Sequence, residues 1–435
     1  MATAASVGLA LLITLAVFLV LGAPIAVGVG LSSIVGMFMI LPLEQGLLTA
    51  GQRMFTGMNS FSLLAIPFFV LAGVIMNNGG IAQRLINCAK VLSGRLPGSL
   101  AHTNIVANML FGSISGSAVA AAAAMGSTMT DQQEKAGYKR EFSAAVNIAS
   151  APTGMLIPPS NLMIVYSLAS GGTSIAALFL GGYLPGVIWG LGCMIVAFFI
   201  AKKLGYKSEG KITWKVKFRY IWEAIPSLLL IVIVIGGILV GFFTATEGSA
   251  VAVVYSLLLS FIYRTVKIKD LPQILLESTK ITCVVSFLIG ISSIMSWVMS
   301  FTNIPALIAE LLTSLTDSKI IILLIINVLL LIVGCFMDPT PAVLIFAPIL
   351  LPIVTQLGIH PVHFGIIMVL NLSIGTITPP VGPVLFVGTK VAKLKLESVI
   401  KPLMPFFAVV IIVLIATTYI PEISMLIPKL AGLVK

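Results

Sequence analysis

Apolar residues run in blocks too long for a water-soluble fold, and the charged positions fall between the blocks. No charged residue precedes Glu44, and none lies between Arg95 and Asp131, between Glu141 and Lys202, or between Asp338 and Lys390. A spanning helix needs only about 20 apolar residues, so several of these gaps hold two membrane-depth segments each. The runs predict helices at 3–22, 24–42 and 62–78, with amphipathic segments near 45–57 and 80–94. A long uncharged stretch, 97–130, follows, and then segments 142–170 and 174–201. The second half keeps the same order. Helices are expected at 225–243, 248–263 and 281–301, with amphipathic segments near 267–279 and 303–316. An apolar stretch at 320–357, a segment at 361–389 and a last helix at 402–421 complete it.

Composition agrees with lipid as the solvent. The chain is 59% hydrophobic and 9% charged, with a mean hydropathy of +1.15, whereas a globular domain carries about 25% charged residues. Residues 1–22 have no basic n-region and run directly into a second apolar stretch, so they read as a membrane helix rather than a cleaved signal peptide. The four cysteines are scattered without a CxxC pair, which argues against a disulfide framework and a zinc site. Three histidines give a metal centre or a general base little to work with.

The placement of charge sets the topology. If 97–130 and 320–357 are re-entrant hairpins, 21 of the 25 basic residues fall on one face. The positive-inside rule makes that face cytoplasmic and the N-terminus periplasmic. The +11 net charge is then orientation bias, not a nucleic-acid patch. The expected fold is an all-α polytopic membrane protein of two inverted-topology repeats, 1–204 and 223–435. Each holds a re-entrant hairpin (97–130, 320–357) and a broken helix (142–170, 361–389), the architecture of secondary transporters. Between them, 205–222 is a basic amphipathic linker in which lysines and Arg219 alternate with Trp214, Phe218, Tyr220 and Trp222. It reads either as a docking arm in the membrane interface or as a solvated connector.

One motif is duplicated. Gly154-Met-Leu-Ile-Pro158-Pro159 matches Gly375-Thr-Ile-Thr-Pro379-Pro380. Each Pro-Pro removes backbone donors and breaks its helix, and broken backbone at membrane depth is tolerated only in protein or beside a cavity. The freed carbonyls of Gly154 to Ile157 and Gly375 to Thr378 can bind a hard cation such as sodium. The half-helix beginning near Pro159 or Pro380 offers amides and positive dipole to an anion.

The hairpin tips form a second pair: Gly112-Ser113-Ile114-Ser115-Gly116-Ser117, and Gly334 through Asp338-Pro339-Thr340-Pro341. Both combine helix-breaking residues with short oxygen-bearing side chains. Asp338 is the only acid between Asp317 and Glu397, and intramembrane carboxylates are costly and usually functional. It is a candidate ligand for sodium or for a polar group of a substrate. Ser160 and Asn161 can donate to a carboxylate or cap the half-helix.

With these residues in view, the chain resembles the large membrane subunit of tripartite ATP-independent periplasmic (TRAP) transporters. The likeness is carried by FGSISGSAVA (111–120), IPPS (157–160), SIAALFLGGYLPG (174–186), FMDPTPA (336–342), PILLPI (348–353), HFGIIMVLNLSIGTITPPVG (363–382) and LFV (385–387). The resemblance implies an elevator-type sodium symporter of organic acids in the bacterial inner membrane. It also implies a separate small four-helix membrane subunit and a soluble periplasmic binding protein as partners. Sodium would be the co-transported ion, with no organic cofactor. Substrate contact would fall to Ser115, Ser117, Ser160, Asn161, Asp338 and Thr340. Sodium would be held at Ser115, Thr153, Gly154, Gly334, Asp338, Gly375, Thr376 and Thr378, largely through backbone carbonyls. Many dicarboxylate members read GPIIPPS where this chain has Gly154-Met-Leu-Ile-Pro-Pro-Ser160; the sequence looks more like the sialic acid branch, with C4-dicarboxylates or another sugar acid as alternatives.

Other function classes fit less well. An intramembrane hydrolase using Ser115 or Ser117 needs a base within reach, and the chain has no GxSxG elbow. A passive channel is expected to show charged rings or a filter repeated in an oligomer, whereas the duplication here is internal. A symporter that takes substrate directly from solution fits the physical motifs equally well.

Overall fold

The computed structural model describes residues 3–94, 96–208, 213–316, 318–379 and 381–434. Arg95, Lys211 and Lys435 of the charge pattern and Pro380 of the second Pro-Pro pair lie outside the described residues. Among those described, the regular structure is entirely helical. The first half runs α1 (Ala4–Val20), α2 (Ile25–Ile40), α3 (Leu43–Met58), α4 (Ala65–Asn78) and α5 (Ile81–Ser93). The pair α6 (Ser99–Ser115) and α7 (Ala118–Lys135) follows, then α8 (Arg140–Ser150), α9 (Asn161–Ala169) and α10 (Ile175–Leu204). The second half runs α11 (Trp214–Val240), α12 (Ala245–Ile262), α13 (Leu271–Phe301) and α14 (Ile304–Leu315). Then come the pair α15 (Lys319–Phe336) and α16 (Pro339–Gln356), with α17 (Pro361–Gly375), α18 (Pro383–Val391), α19 (Leu396–Tyr419) and α20 (Glu422–Leu430). Eight helices among the described residues are long and apolar enough to cross a membrane.

Two predicted boundaries shift, each for a local reason. The amphipathic linker is not a separate element after residue 213: Trp214 to Trp222 form the first turns of α11, because no glycine or proline interrupts the chain before Pro226. The segments predicted at 267–279 and 281–301 merge into the 31-residue α13. Their counterparts, α3 and α4, stay separate because Asn59 (φ −90°, ψ 66°) and extended Ser60 end α3. α20 lies beyond the last predicted helix, after Pro421.

Packing divides the molecule into two groups of helices. α13 packs on α2, α3 and α4; α12 packs on α4, and α11 on α5 and α12. The second group is built from the two helix pairs and the two broken helices. α6 lies against the Ala151–Met155 turn and α15 against α17, while the halves exchange partners through α16 on α9 and α18 on α7. α10 and α19 brace this group. The Trp189 indole of α10 donates to Ala149 O at 2.9 Å, and Tyr166 Oη of α9 donates to Pro361 O at 2.8 Å. Large apolar side chains such as Leu12, Val232, Ile262 and Ile320 are more than half exposed, the expected state of a surface that faces lipid rather than water.

Candidate functional site

The two tips turn differently. At the first, α6 ends at Ser115 and Gly116 takes the left-handed conformation (φ 63°) that a side chain would strain. Ser117 is extended and its Oγ accepts from Ala120 N at 3.3 Å, capping α7. A Cβ on Gly116 would stand 2.8 Å from Asn161 Nδ2, so this tip lies directly on the first turn of α9. At the second, Met337 and Asp338 form an extended connection and Pro339 opens α16. Asp338 Oδ1 accepts from Thr340 N at 3.1 Å. A carboxylate at a helix N-terminus is held by free amides and by the helix dipole.

Each tip is pressed onto its own broken helix. A Cβ on Gly112 would stand 2.8 Å from Gly154 Cα, and one on Gly334 would stand 3.1 Å from Gly375 Cα. Both crossings therefore require glycine. In the first half, Thr153 O accepts from Leu156 N and Ile157 N at 3.1 Å each, and Ser160 Oγ donates to Met155 O at 2.6 Å. In the second half, the helix resumes at Pro383 rather than near Pro380. The N–H of Gly382 reaches across to Cys335 O at 3.2 Å, tying the breaker to the tip. Thr376 O accepts the first amides of α18, from Val384 (3.0 Å) and Leu385 (3.3 Å). A Cβ on Gly382 would meet Thr376 O at 2.9 Å and Thr378 O at 2.8 Å, so both carbonyls turn toward the same point. Several carbonyls expected to be free are thus already engaged within the breakers.

A cavity of about 730 Å³ lies between the two helix groups. Of the residues singled out in the sequence, Ser115, Ser117, Asn161, Asp338, Thr340 and Thr376 line it, so both tips and both breakers meet at one space. Asp338 is exposed to that space. Thr153, Gly154, Gly334 and Gly375 are buried behind the lining, and Thr378 lies partly buried outside it. Ser160 is 1% exposed with its hydroxyl committed to Met155, so it braces the breaker rather than facing the cavity.

The opposite wall is apolar, made by Ile66, Val70 and Val74 of α4 and Ile281, Val284 and Leu288 of α13. Asn77, Glu277 and Lys280 also line the cavity; Asn77 was expected in an apolar helix, Glu277 in an amphipathic segment and Lys280 only among the basic residues of the cytoplasmic face. The Glu277–Lys280 spacing, which puts both on one helical face, is the sequence signal that could have found that pair. None of the three histidines lines the cavity, and no group of three or more His, Cys, Asp or Glu among the described residues could hold a metal ion. The polar groups that line the cavity are hydroxyls, amides, carbonyls, the carboxylates of Asp338 and Glu277 and the Lys280 ammonium, a set that suits a hard cation and an anion better than a transition metal.

Residues 12–423 match the family described as "Tripartite ATP-independent periplasmic transporter, DctM component". An uncharacterised protein of Salmonella typhimurium, YgiK, is 54% identical, with 95% of each chain covered. The isethionate TRAP transporter permease DctMQ of Oleidesulfovibrio alaskensis is 42% identical over 94% of this chain and 64% of its own length. The sialic acid TRAP transporter large permease of Vibrio cholerae is 37% identical over 93% of this chain and 95% of its own. Among solved structures, the YdaH transporter of Alcanivorax borkumensis superposes with a TM-score of 0.65 at 13% identity, covering 86% of this chain and 88% of that one. This last likeness concerns the fold alone.

Proposed function

The chain belongs to the DctM family of tripartite ATP-independent periplasmic transporters, a multi-pass membrane permease and not an enzyme, and from that premise we propose sodium-coupled uptake of an organic acid. The observation that carries the proposal is the convergence of both hairpin tips and both broken helices on one cavity, with Asp338 exposed within it. Sodium is held near each tip by backbone and hydroxyl oxygens, and at the second tip also by the Asp338 carboxylate. The substrate carboxylate lies between the tips, where Asn161 and the first turn of α9 offer donors and positive dipole.

The two halves are inverted repeats in this reading. The helix pairs with the broken helices form the moving body, and α4 and α13 belong to the scaffold, whose apolar wall lets that body slide. The face carrying Arg140, Lys202 and Lys280 is cytoplasmic, so the N-terminus is periplasmic. In this reading Lys280, which lines the cavity, marks its cytoplasmic end. Substrate is delivered by a periplasmic binding protein, and a small four-helix membrane subunit completes the transporter.

Sialic acid is the substrate favoured by the departure at Gly154-Met155-Leu156. The sialic acid relative supports it, while the isethionate relative keeps other organic anions in play. Reconstitution with the small subunit tests the whole reading. Labelled sialic acid uptake should need both an inward sodium gradient and the binding protein. Uptake indifferent to sodium rejects the symport mechanism, and uptake of isethionate or a C4-dicarboxylate in its place reassigns the substrate.

A further inference from the structure

One helical turn below each glycine crossing, the two halves carry the same side-chain clasp. Asn108 on α6 stands four residues before Gly112, and Asn371 on α17 stands four residues before Gly375. Asn108 Nδ2 donates to Asn147 Oδ1 at 3.1 Å and to Asn147 O at 3.3 Å; it also reaches Ser150 Oγ at 2.8 Å and Asn104 Oδ1 at 3.2 Å, contacts particular to the first half. Asn371 Nδ2 donates to Asn327 Oδ1 at 2.8 Å and to Asn327 O at 3.0 Å. The acceptors also correspond: Asn147 stands seven residues before Gly154, and Asn327 seven before Gly334. The donor is on the hairpin in the first half and on the broken helix in the second, so the two clasps are one contact with its partners exchanged.

Each acceptor spends its own amide on a third element. Asn147 Nδ2 donates to Ala122 O of α7 at 2.8 Å, and Asn327 Nδ2 to Thr418 Oγ1 of α19 at 3.1 Å. All four asparagines are at most 4% exposed. In both clasps the same atom, the Oδ1 of the donor, has no partner among the described residues. Leucine in these places would pack without that cost, and asparagine is a mediocre helix former. What the pair gains is register. A slide of one residue along the helix moves an amide by about 1.5 Å, enough to break both bonds of a clasp.

We propose that Asn108 and Asn371 are positioning residues for the two tip-and-breaker cation sites. Each locks the register between hairpin and broken helix, so that the tip oxygens above it keep a fixed distance from the breaker carbonyls. Metal–oxygen distances tolerate only about 0.2 Å of error, which a glycine crossing alone, having no directional bond, does not guarantee. The inference rests on the sodium-symport reading.

The test follows sodium by thermal stabilisation of the purified protein with its small subunit. The variants are Asn371→Leu, Asn371→Ser, and the paired Asn327→Leu/Asn371→Leu, which removes donor and acceptor of the clasp together and leaves only Thr418 Oγ1 without the amide it accepts from. The sodium concentration for half-maximal stabilisation should rise about tenfold in the leucine variants, the loss typical of removing an outer-shell support, and less in the serine variant. At saturating sodium, half-saturation by sialic acid should stay within about twofold of wild type, an effect far below the tenfold step. Lower stability with an unshifted sodium curve makes the asparagines structural only and overturns the proposal. A wild-type protein that does not respond to sodium overturns the symport reading itself and takes the proposal with it.

Discussion

The two hairpin tips occupy corresponding places in the molecule but are built from opposite materials. The first is neutral and turns through left-handed Gly116 between two serines. The second carries a carboxylate and two flanking prolines, and crosses in extended backbone. What they share lies behind them: a glycine crossing against the broken helix and the asparagine clasp one turn below. The shared parts set where oxygen atoms sit, and the differing parts set how much charge is there. Under the proposed symport, this arrangement would offer two cation positions of unequal strength beside one anion position. In that proposal the neutral tip would rely on carbonyl and hydroxyl oxygens, and the charged one would add the Asp338 carboxylate as a Coulomb partner.

The largest expected effects fall on the shared parts and should be equal in the two halves. Gly154→Val and Gly375→Val each drive a branched side chain into the facing backbone. Overpacking costs about 1–3 kcal/mol where side chains can yield, and backbone yields less. Both variants should therefore lose folded protein from the membrane, as read by detergent-solubilised size-exclusion profiles. Normal folding in one and not the other would mean the crossings are not equivalent.

Next in size are effects that should be unequal. Asp338→Ala removes the only acid of the second tip and should cut sodium-driven uptake roughly a hundredfold, about 2.8 kcal/mol at 1.4 kcal/mol per decade, with membrane levels unchanged. Uptake at wild-type level in this variant removes Asp338 from the mechanism. Gly116→Ala forces a side chain into the left-handed region at a cost of about 1–2 kcal/mol and should reduce uptake by about a decade or less. The smallest change is expected for Ser117→Ala, the loss of one N-cap, at about 1 kcal/mol. It should appear as a lower melting temperature with a loss of uptake of well under a decade. If Ser117→Ala matched Asp338→Ala in uptake, the contrast between a neutral and a charged tip would be wrong.

The helices were legible because membrane solvent writes long apolar blocks, and the breakers because Pro-Pro cannot remain inside a helix. The breaks between helices were less legible. Where Asn59 and Ser60 end α3, the second half has Thr279-Lys280-Ile281, which continues α13 without interruption. Ser115, Asn161 and Asp338 reach the cavity because a tip or a helix start must face something other than its own helix. Ser160 turns inward to Met155, a choice between two hydrogen-bond partners that sequence does not encode. Asn108, Asn147, Asn327 and Asn371 carried no signal as sites, since nothing along the helix of each identifies its partner, 39 or 44 positions away.

Sodium binding to the purified protein and to its Asp338→Ala variant, measured directly with radiolabelled sodium at equilibrium, tests the central claim. The account predicts saturable binding by the wild type and a variant that binds less sodium, but not none, because the neutral tip keeps its carbonyls. Equal binding by the two proteins, or no saturable binding by the wild type, would contradict it.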